Sequence, residues 1–180
     1  AVSISVGHQP TGVSFDVVGN GHVASTLLGL SVASSSVTAD RADEQKVTVT
    51  LQASDPTKLD DVLLYINRGS TTPDRGLLGW TQTAGFVEAG GDARGNRFID
   101  LSPRSSRTVD AATQTVTFEF VWTLRATYGD LTDNTVSAFW REPEYGYSVG
   151  WIRASETFDV VGGNHVGGEF LSAQVAEVEV

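Results

Sequence analysis

Two segments of this chain are copies of each other, and this internal repeat limits what the chain can fold into. The sequence Phe-Asp-Val-Val-Gly occupies residues 15–19 and returns at residues 158–162, which is an offset of 143 positions. With that offset held and no gap, 14 of the first 37 residues are identical to residues 144–180. Unrelated sequences share far fewer positions, so we expect the two segments to adopt the same structure.

The repeated segment has two explanations, and both place a junction between folded units there. In the first, the chain is part of a tandem array and contains one repeat unit with a piece of another. In the second, the chain is a subunit whose matching ends pair with neighbouring subunits by addition of a β-strand. A third reading, two similar edge strands in one domain, is disfavoured by the long gapless match. We therefore expect an N-terminal strand segment at 1–19, a domain at 20–162, and the start of the next repeat or a C-terminal strand at 163–180.

The residues between the two copies follow the pattern of β-strands rather than of helices. Apolar and polar residues alternate in segments 47–51, 62–66 and 136–140, as in strands with one buried face. The longest alternating segment is 115–125, and the large apolar residues on one of its faces require an opposing sheet. These residues are Val116, Phe118, Phe120, Trp122 and Leu124. One or two further strands are predicted within 145–161.

Turn-forming residues separate these strands. Asp55-Pro56 ends one strand, and residues 128–134, which contain Gly, Asp and Asn, are predicted to form a turn. A long loop rich in Gly, Thr and Asp begins at Arg68. Its apolar residues predict that parts of it pack against the domain or form short edge strands, with 97–101 as one of them.

About seven short strands, turns at regular spacing and Tyr128 beside a turn resemble the sandwich of immunoglobulin and fibronectin type III domains. The resemblance covers residues 25–162. It departs from the antibody pattern because Cys is absent and because Tyr128 precedes the turn. It implies an all-β fold, an immunoglobulin-like antiparallel β-sandwich with an extra N-terminal strand. Such domains of extracellular prokaryotic surface and filament proteins act as spacers, adhesins or carbohydrate-binding accessories, and the fold alone does not choose among these roles.

The charge balance and the absence of Cys exclude several classes of function. The 22 acidic residues exceed the 12 basic ones, and the formal net charge of -10 would repel nucleic acid and anionic membrane surfaces. No apolar run approaches the roughly 20 residues of a membrane-spanning helix. Without Cys the chain forms neither disulfides nor thiolate metal sites. Position 1 is Ala rather than Met, which indicates either a processed or a trimmed end. We expect an extracellular or cell-surface location, because Cys-free chains rich in Thr, Ser, Val and Gly are common among prokaryotic surface proteins.

The sequence contains no pattern of a known catalytic site, and we do not expect an enzyme. The only His residues are His8, His22 and His165, and the last two occupy the same position of the repeat. A catalytic His is needed once per site, so the duplication favours a structural hydrogen bond in a turn. Nucleophile-elbow, HExxH and phosphate-binding motifs are all absent from the sequence.

Calcium is the one cofactor that the sequence leaves open, because it prefers carboxylate and amide oxygens. Such oxygens are grouped in a Gly-rich loop at Asp92, Asn96 and Asp100 and in a turn at Asp130 and Asp133. Neither group follows a calcium-loop motif, and Asp and Asn are common in turns of any kind.

The sequence favours a structural or adhesive function. We expect a domain that assembles head to tail with copies of itself or with neighbouring repeats, as a tandem repeat or as a filament subunit joined by β-strand complementation. The strand at residues 3–18 would pair outside its own domain through Val6, Val13, Phe15 and Val17.

Aromatic residues suggest the alternative function, a carbohydrate-binding module of a secreted enzyme. Tyr145, Tyr147 and Trp151 would form a flat platform for the rings of a polysaccharide if they shared one strand face. Large aromatic residues in strands are more often buried in a core.

Overall fold

The computed structural model describes the chain in five stretches, residues 23–39, 43–68, 76–89, 99–125 and 131–162. The predicted N-terminal strand and the segment 163–180 lie outside the described residues. The described residues contain twelve β-strands and no α-helix, so the predicted all-β class is confirmed. Two short 3₁₀ turns, Pro56–Lys58 and Pro143–Tyr145, lie between strands.

The strands form one sheet of five strands and one sheet of seven. In chain order they are β1 (Thr26–Val32), β2 (Ser36–Thr38), β3 (Glu44–Gln52), β4 (Asp61–Ile66), β5 (Gly76–Thr81), β6 (Gly85–Glu88), β7 (Ile99–Leu101), β8 (Ser106–Asp110), β9 (Thr115–Leu124), β10 (Leu131–Glu142), β11 (Tyr147–Ser148) and β12 (Ile152–Val161). The five-stranded sheet is curled and has the order β1-β3-β9, with β7 and β8 both pairing along the far edge of β9. The seven-stranded sheet has the order β2-β12-β10-β4-β5-β6, with β11 beside the end of β10. All neighbouring strands are antiparallel except β2 and β12, which are parallel.

One hydrophobic core lies between the two sheets. The alternating face of β9 is buried, as predicted: Val116, Phe118, Phe120, Trp122 and Leu124 are at most 1% exposed. Trp80 on β5 meets Phe118 on β9 with ring centroids 5.1 Å apart, and Phe158 on β12 meets Trp122 on β9 at 6.3 Å. Because these pairs join strands of different sheets, removal of their apolar surface from water holds the sheets together.

The beginning of the domain is divided between the two sheets. β1 pairs with β3, and after three more residues β2 pairs with β12 on the opposite side of the core. The bend between them is held by Gln45, which is 1% exposed. Its side-chain amide accepts a hydrogen bond from Ser34 N at 3.1 Å and donates one to Ser34 O at 2.8 Å. The backbone of Ser34 at the bend is therefore satisfied inside the protein.

The chain enters and leaves the domain at opposite ends. Ser25, just before β1, lies at the end of β10, where its N–H donates a hydrogen bond to Glu142 Oε1 at 3.2 Å. At the exit, Val160 of β12 pairs with Leu131, the first residue of β10. β10 has 12 residues, and a rise of about 3.3 Å per residue separates its two ends by about 36 Å.

Two details differ from the sequence expectations, and a third agrees where the structure describes it. The turn predicted at 128–134 was wrong for residues 131–134, which begin β10, while 128–130 lie outside the described residues. The pairing with β12 is irregular there and Asp133 has a φ of 57°, so the turn-forming residues mark an irregularity within a strand. Residues 99–101 of the edge strand predicted at 97–101 form β7, and 97 and 98 lie outside the described residues. Strands β1, β2 and β8 were not predicted.

Candidate functional site

The second copy of the repeat contributes the last strand of the domain. β12 lies between β10 and β2, and its Phe158 and Val160 are buried in the core. By the 143-residue offset these positions correspond to Phe15 and Val17 of the first copy. The four residues predicted to mediate self-association all lie outside the described residues: Val6, Val13, Phe15 and Val17.

A buried polar cluster anchors the point where the chain enters the domain. Ser25 is 0% exposed, and its hydroxyl accepts a hydrogen bond from Trp140 Nε1 at 2.8 Å. Its N–H donates to Glu142, which is itself buried, and its carbonyl accepts a hydrogen bond from Tyr147 Oη at 3.4 Å. Because a buried polar group without a partner costs about 1–3 kcal/mol, these contacts fix the position of Ser25 on the end of the domain.

Partly buried aromatic residues form a second cluster, on the face of the seven-stranded sheet opposite to the core. Trp151 meets Phe139 at a centroid distance of 5.3 Å and Tyr65 at 5.6 Å. The guanidinium of Arg68 lies over the Trp151 ring, 5.2 Å from its centroid. The Phe139 and Tyr65 rings are inclined to Trp151 by 32° and 88°, so the three rings do not form one plane.

Two of the three residues predicted to form a carbohydrate platform, Tyr147 and Trp151, lie in different clusters of the described structure. Trp151 lies in the outer aromatic cluster, whereas the hydroxyl of Tyr147 reaches Ser25 beside the buried Trp140. These two side chains therefore do not share a face. The side chain of Tyr145 lies outside what the structure describes.

An open cavity of about 330 Å³ lies at the end of the domain where the chain enters. Its walls come from the connection between β3 and β4, from β8 and from the turn that follows β8. They comprise Ser54, Pro56, Thr57, Val109, Ala111 and Gln114, together with Arg107. The Arg107 guanidinium carbon lies 4.8 Å from the centroid of the Trp80 ring, and Nη2 donates a hydrogen bond to Pro56 O at 3.0 Å. Burial lowers the pKa of Arg107.

The predicted calcium ligands that the structure describes are engaged elsewhere. Asp100 on β7 accepts a hydrogen bond from Arg125 Nε at 3.0 Å, and this contact raises the pKa of Arg125. Asp133 lies on β10 in the other sheet, where its Oδ1 accepts a hydrogen bond from Thr157 Oγ1 at 3.4 Å. Within the described stretches, no three His, Cys, Asp or Glu residues form a group that could hold a metal ion. The other candidates, Asp92, Asn96 and Asp130, lie outside them.

Neither a protein-family model nor a curated protein matches the chain. Among the residues that the structure describes, no helix is long and apolar enough to cross a membrane. His8, His22 and His165 all lie outside those residues. The function is therefore argued from the repeat and from the geometry of the domain.

Sequence reasoning missed both Ser25 and Arg107. Ser25 contacts Trp140 across 115 positions of the chain, and Arg107 contacts Pro56 across 51. Arg107 stands in an ordinary strand segment, Ser106–Asp110, and nothing in the neighbouring residues marks it. Only the fold places these partners together.

Proposed function

We propose that residues 23–162 form one immunoglobulin-like sandwich of the variable type. In that fold one sheet contains strands A, B, E and D, and the other contains G, F, C, C′ and C″. When the strands of this chain are lettered in order, A is β1, B is β3, C to C″ are β4 to β6, D is β7 with β8, E is β9, F is β10 and G is β12. The strand orders β1-β3-β9-β7 and β12-β10-β4-β5-β6 support this assignment.

We further propose that this domain is a structural or adhesive unit of an extracellular head-to-tail array with a period of 143 residues. The observation that carries the proposal is the position of β12, because the second copy of the repeat provides the last strand of this domain. By the same pattern, the first copy provides the last strand of a preceding unit. Entry and exit at opposite ends of the domain let successive units follow one another in a line.

The repeat also sets the length of the linker between units. Gly162 ends the described domain, and Gly168 corresponds to Ser25, whose backbone N–H and carbonyl are hydrogen-bonded at the entry of the domain. Six residues of extended chain reach at most about 20 Å. Neighbouring units are therefore held close to each other, which suits a stiff filament better than a chain of freely moving domains.

A chain extended by one period tests the array. Val180 corresponds to Val37, so residues 38–162 appended after Val180 supply the remainder of a second domain in register. At roughly 0.7 kcal/mol of unfolding enthalpy per residue, one domain of this size absorbs about 100 kcal/mol on unfolding. We expect the extended chain to absorb about twice as much heat in calorimetry as the original chain.

The control for this experiment appends the same residues in scrambled order, and it should absorb no more heat than the original chain. An extended chain that behaves like the scrambled one would contradict the array. Electron micrographs of the purified protein then distinguish the two forms that the proposed array can take. Filaments indicate subunits joined by strand complementation, and isolated particles indicate a piece of a longer tandem chain.

The alternative, a carbohydrate-binding module, is supported by the partial exposure of Tyr65, Phe139 and Trp151 on the outer face of a sheet. Retention on insoluble polysaccharide that is lost in Trp151→Ala would favour it. The array remains the first proposal, because Arg68 lies over the Trp151 ring and the inclined neighbours offer no flat surface for a sugar.

A further inference from the structure

Arg107 is a cation without an acidic partner in the part of the chain that the structure describes. Five other basic side chains there each form an ion pair: Lys46, Lys58, Arg104, Arg125 and Arg141. A guanidinium has five N–H donors. The only acceptor that the described residues offer to Arg107 is the carbonyl oxygen of Pro56, and Nε is buried with no acceptor at all. Within the described residues, the protein therefore satisfies few of the N–H donors of this side chain.

The surrounding residues hold the guanidinium in place without neutralising it. The Trp80 ring lies 4.8 Å from the guanidinium carbon and the Phe118 ring lies 5.8 Å from it. Contacts of this kind orient a cation and leave its charge intact. Burial removes part of the hydration of Arg107, and an Arg side chain nevertheless stays protonated at neutral pH. An arriving anion would replace the hydration that this side chain has lost.

The cavity beside Arg107 has the size and lining of a small-ligand site. Its volume of about 330 Å³ lies at the lower end of the range for ligand pockets. Pro56, Val109 and Ala111 contribute apolar surface, and Thr57 and Gln114 contribute polar groups. A ligand with one charged group and a small apolar body would contact both the polar and the apolar residues of the cavity.

We propose that this cavity binds a carboxylate carried by a small apolar body, with Arg107 as the cation that receives it. The planar guanidinium matches the two oxygens of a carboxylate. A single cation on a chain with a net charge of -10 disfavours a doubly charged phosphate. Asp110 in the flanking turn adds to this selection, because hydrogen bonds from Thr113 and from the N–H of Ala112 lower the pKa of its carboxyl group.

The carboxylate comes either from a free organic acid or from an acidic side chain of another protein. Titration of the full chain at constant ionic strength, followed by NMR, distinguishes these sources. Benzoate represents the free acid, and N-acetylglutamate amide represents the acidic side chain. We expect at least one of them to shift the amide signals of Thr57 and Gln114 in a saturable way, with a dissociation constant in the millimolar range.

Two variants and a matched control locate the binding. Arg107→Gln should weaken binding by about tenfold or more, because hydrogen bonds to charged groups are among the strongest in proteins. Ala111→Phe places a large side chain in the cavity from an exposed turn residue and should also block binding. Because this variant leaves Arg107 unchanged, the proposal can still be tested if Arg107→Gln does not fold. Arg153→Gln makes the same charge change at an exposed position of β12 and should bind like the parent.

Three results would overturn the proposal. The first is the absence of saturable binding of both carboxylates by the full chain. The second is unchanged binding in Arg107→Gln, or in Ala111→Phe. The third is tighter binding of inorganic phosphate than of either carboxylate, which would refute the selection for a single negative charge. None of these results bears on the array, because the cavity and the repeat are independent observations.

Discussion

The contact between Ser25 and Trp140 offers the most direct test of how the chain is anchored at its entry. Ser25 is 0% exposed, and its hydroxyl is 2.8 Å from Trp140 Nε1. Ser25→Ala removes this acceptor and leaves the backbone hydrogen bonds of residue 25 in place. The indole N–H then remains buried without a partner, and an unsatisfied group of this kind costs about 1–3 kcal/mol. We expect the free energy of unfolding to decrease by that amount.

A double-mutant cycle assigns this loss to the hydrogen bond itself. Trp140→Phe removes the indole N–H and leaves the hydroxyl of Ser25 without its donor. In the Trp140→Phe background, Ser25→Ala therefore removes a group that has already lost its partner. We expect the second substitution to cost less than about 0.5 kcal/mol there, so the interaction energy of the pair should be about 1–2 kcal/mol.

Urea unfolding followed by far-UV circular dichroism measures all four proteins, because that signal comes mainly from the backbone and does not rely on Trp fluorescence. Changes at constant m-value report stability alone. Ser36→Ala, on the exposed side of β2, is the matched control and should lie within about 0.5 kcal/mol of the parent. Additive effects of Ser25→Ala and Trp140→Phe would refute the reasoning, since they would mean that the two side chains do not interact.

Three further predictions concern the core, the acid range and the N-terminal segment. Phe120→Ala should cost about 3–5 kcal/mol because Phe120 is 0% exposed, and Phe139→Ala on the partly exposed outer face should cost clearly less in the same urea assay. A Phe120→Ala variant as stable as the parent would place Phe120 outside the core. A hydrogen bond from Lys46 holds the pKa of Glu119 below its usual value. The ionised carboxylate therefore stabilises the fold at any pH above the unfolded pKa of about 4.3. This contribution is lost as the pH falls through the folded pKa. As the pH is lowered from 7 to 2, the urea midpoint of Glu119→Gln should therefore fall less steeply than that of the parent. The difference in the free energy of unfolding should stay within about 1 kcal/mol for this exposed pair. Parallel curves for the two proteins would contradict the assignment. Deletion of residues 1–18 should leave a folded domain that no longer assembles, as seen by circular dichroism and light scattering, and an unfolded product would show that this segment belongs to the domain itself.

Strands in which apolar and polar residues alternate could be predicted from the sequence. Strands without this alternation could not. β9 alternates at every position except Val121, which is apolar and buried on the other face, and its core-facing side is the one that the pattern indicated. β1 is different because its pairing with β3 is irregular between Leu27 and Gly29, which leaves Leu28 53% exposed. In β8 the only large apolar residue, Val109, is 41% exposed on an edge strand. Neither segment carries the periodic signal on which such predictions depend.

The candidate sites also differ in whether the sequence could predict them. The strand pattern predicted one or two strands within 145–161, and β11 and β12 confirm it. The Ser25 cluster and the Arg107 cavity depend instead on partners that are distant in the chain and carry no motif. Polar residues in such positions look like surface residues in the sequence, because only the packed structure removes their water.

The parallel pairing of β2 with β12 determines how the domain responds to stretching. A force that pulls the entry and the exit apart acts on β2 toward one end of the domain and on β12 toward the other. Because the two strands run in the same direction, they are drawn past each other, and all the hydrogen bonds between them are strained together rather than opened one by one. The bonds from Asp159 N to Ser35 O at 2.8 Å and from Ala39 N to Val161 O at 2.9 Å lie at the two ends of this pair. In the proposed array, tension at the entry passes through β1 before it reaches this short parallel pair at the edge of the sheet, and we expect the pair to act as a mechanical clamp.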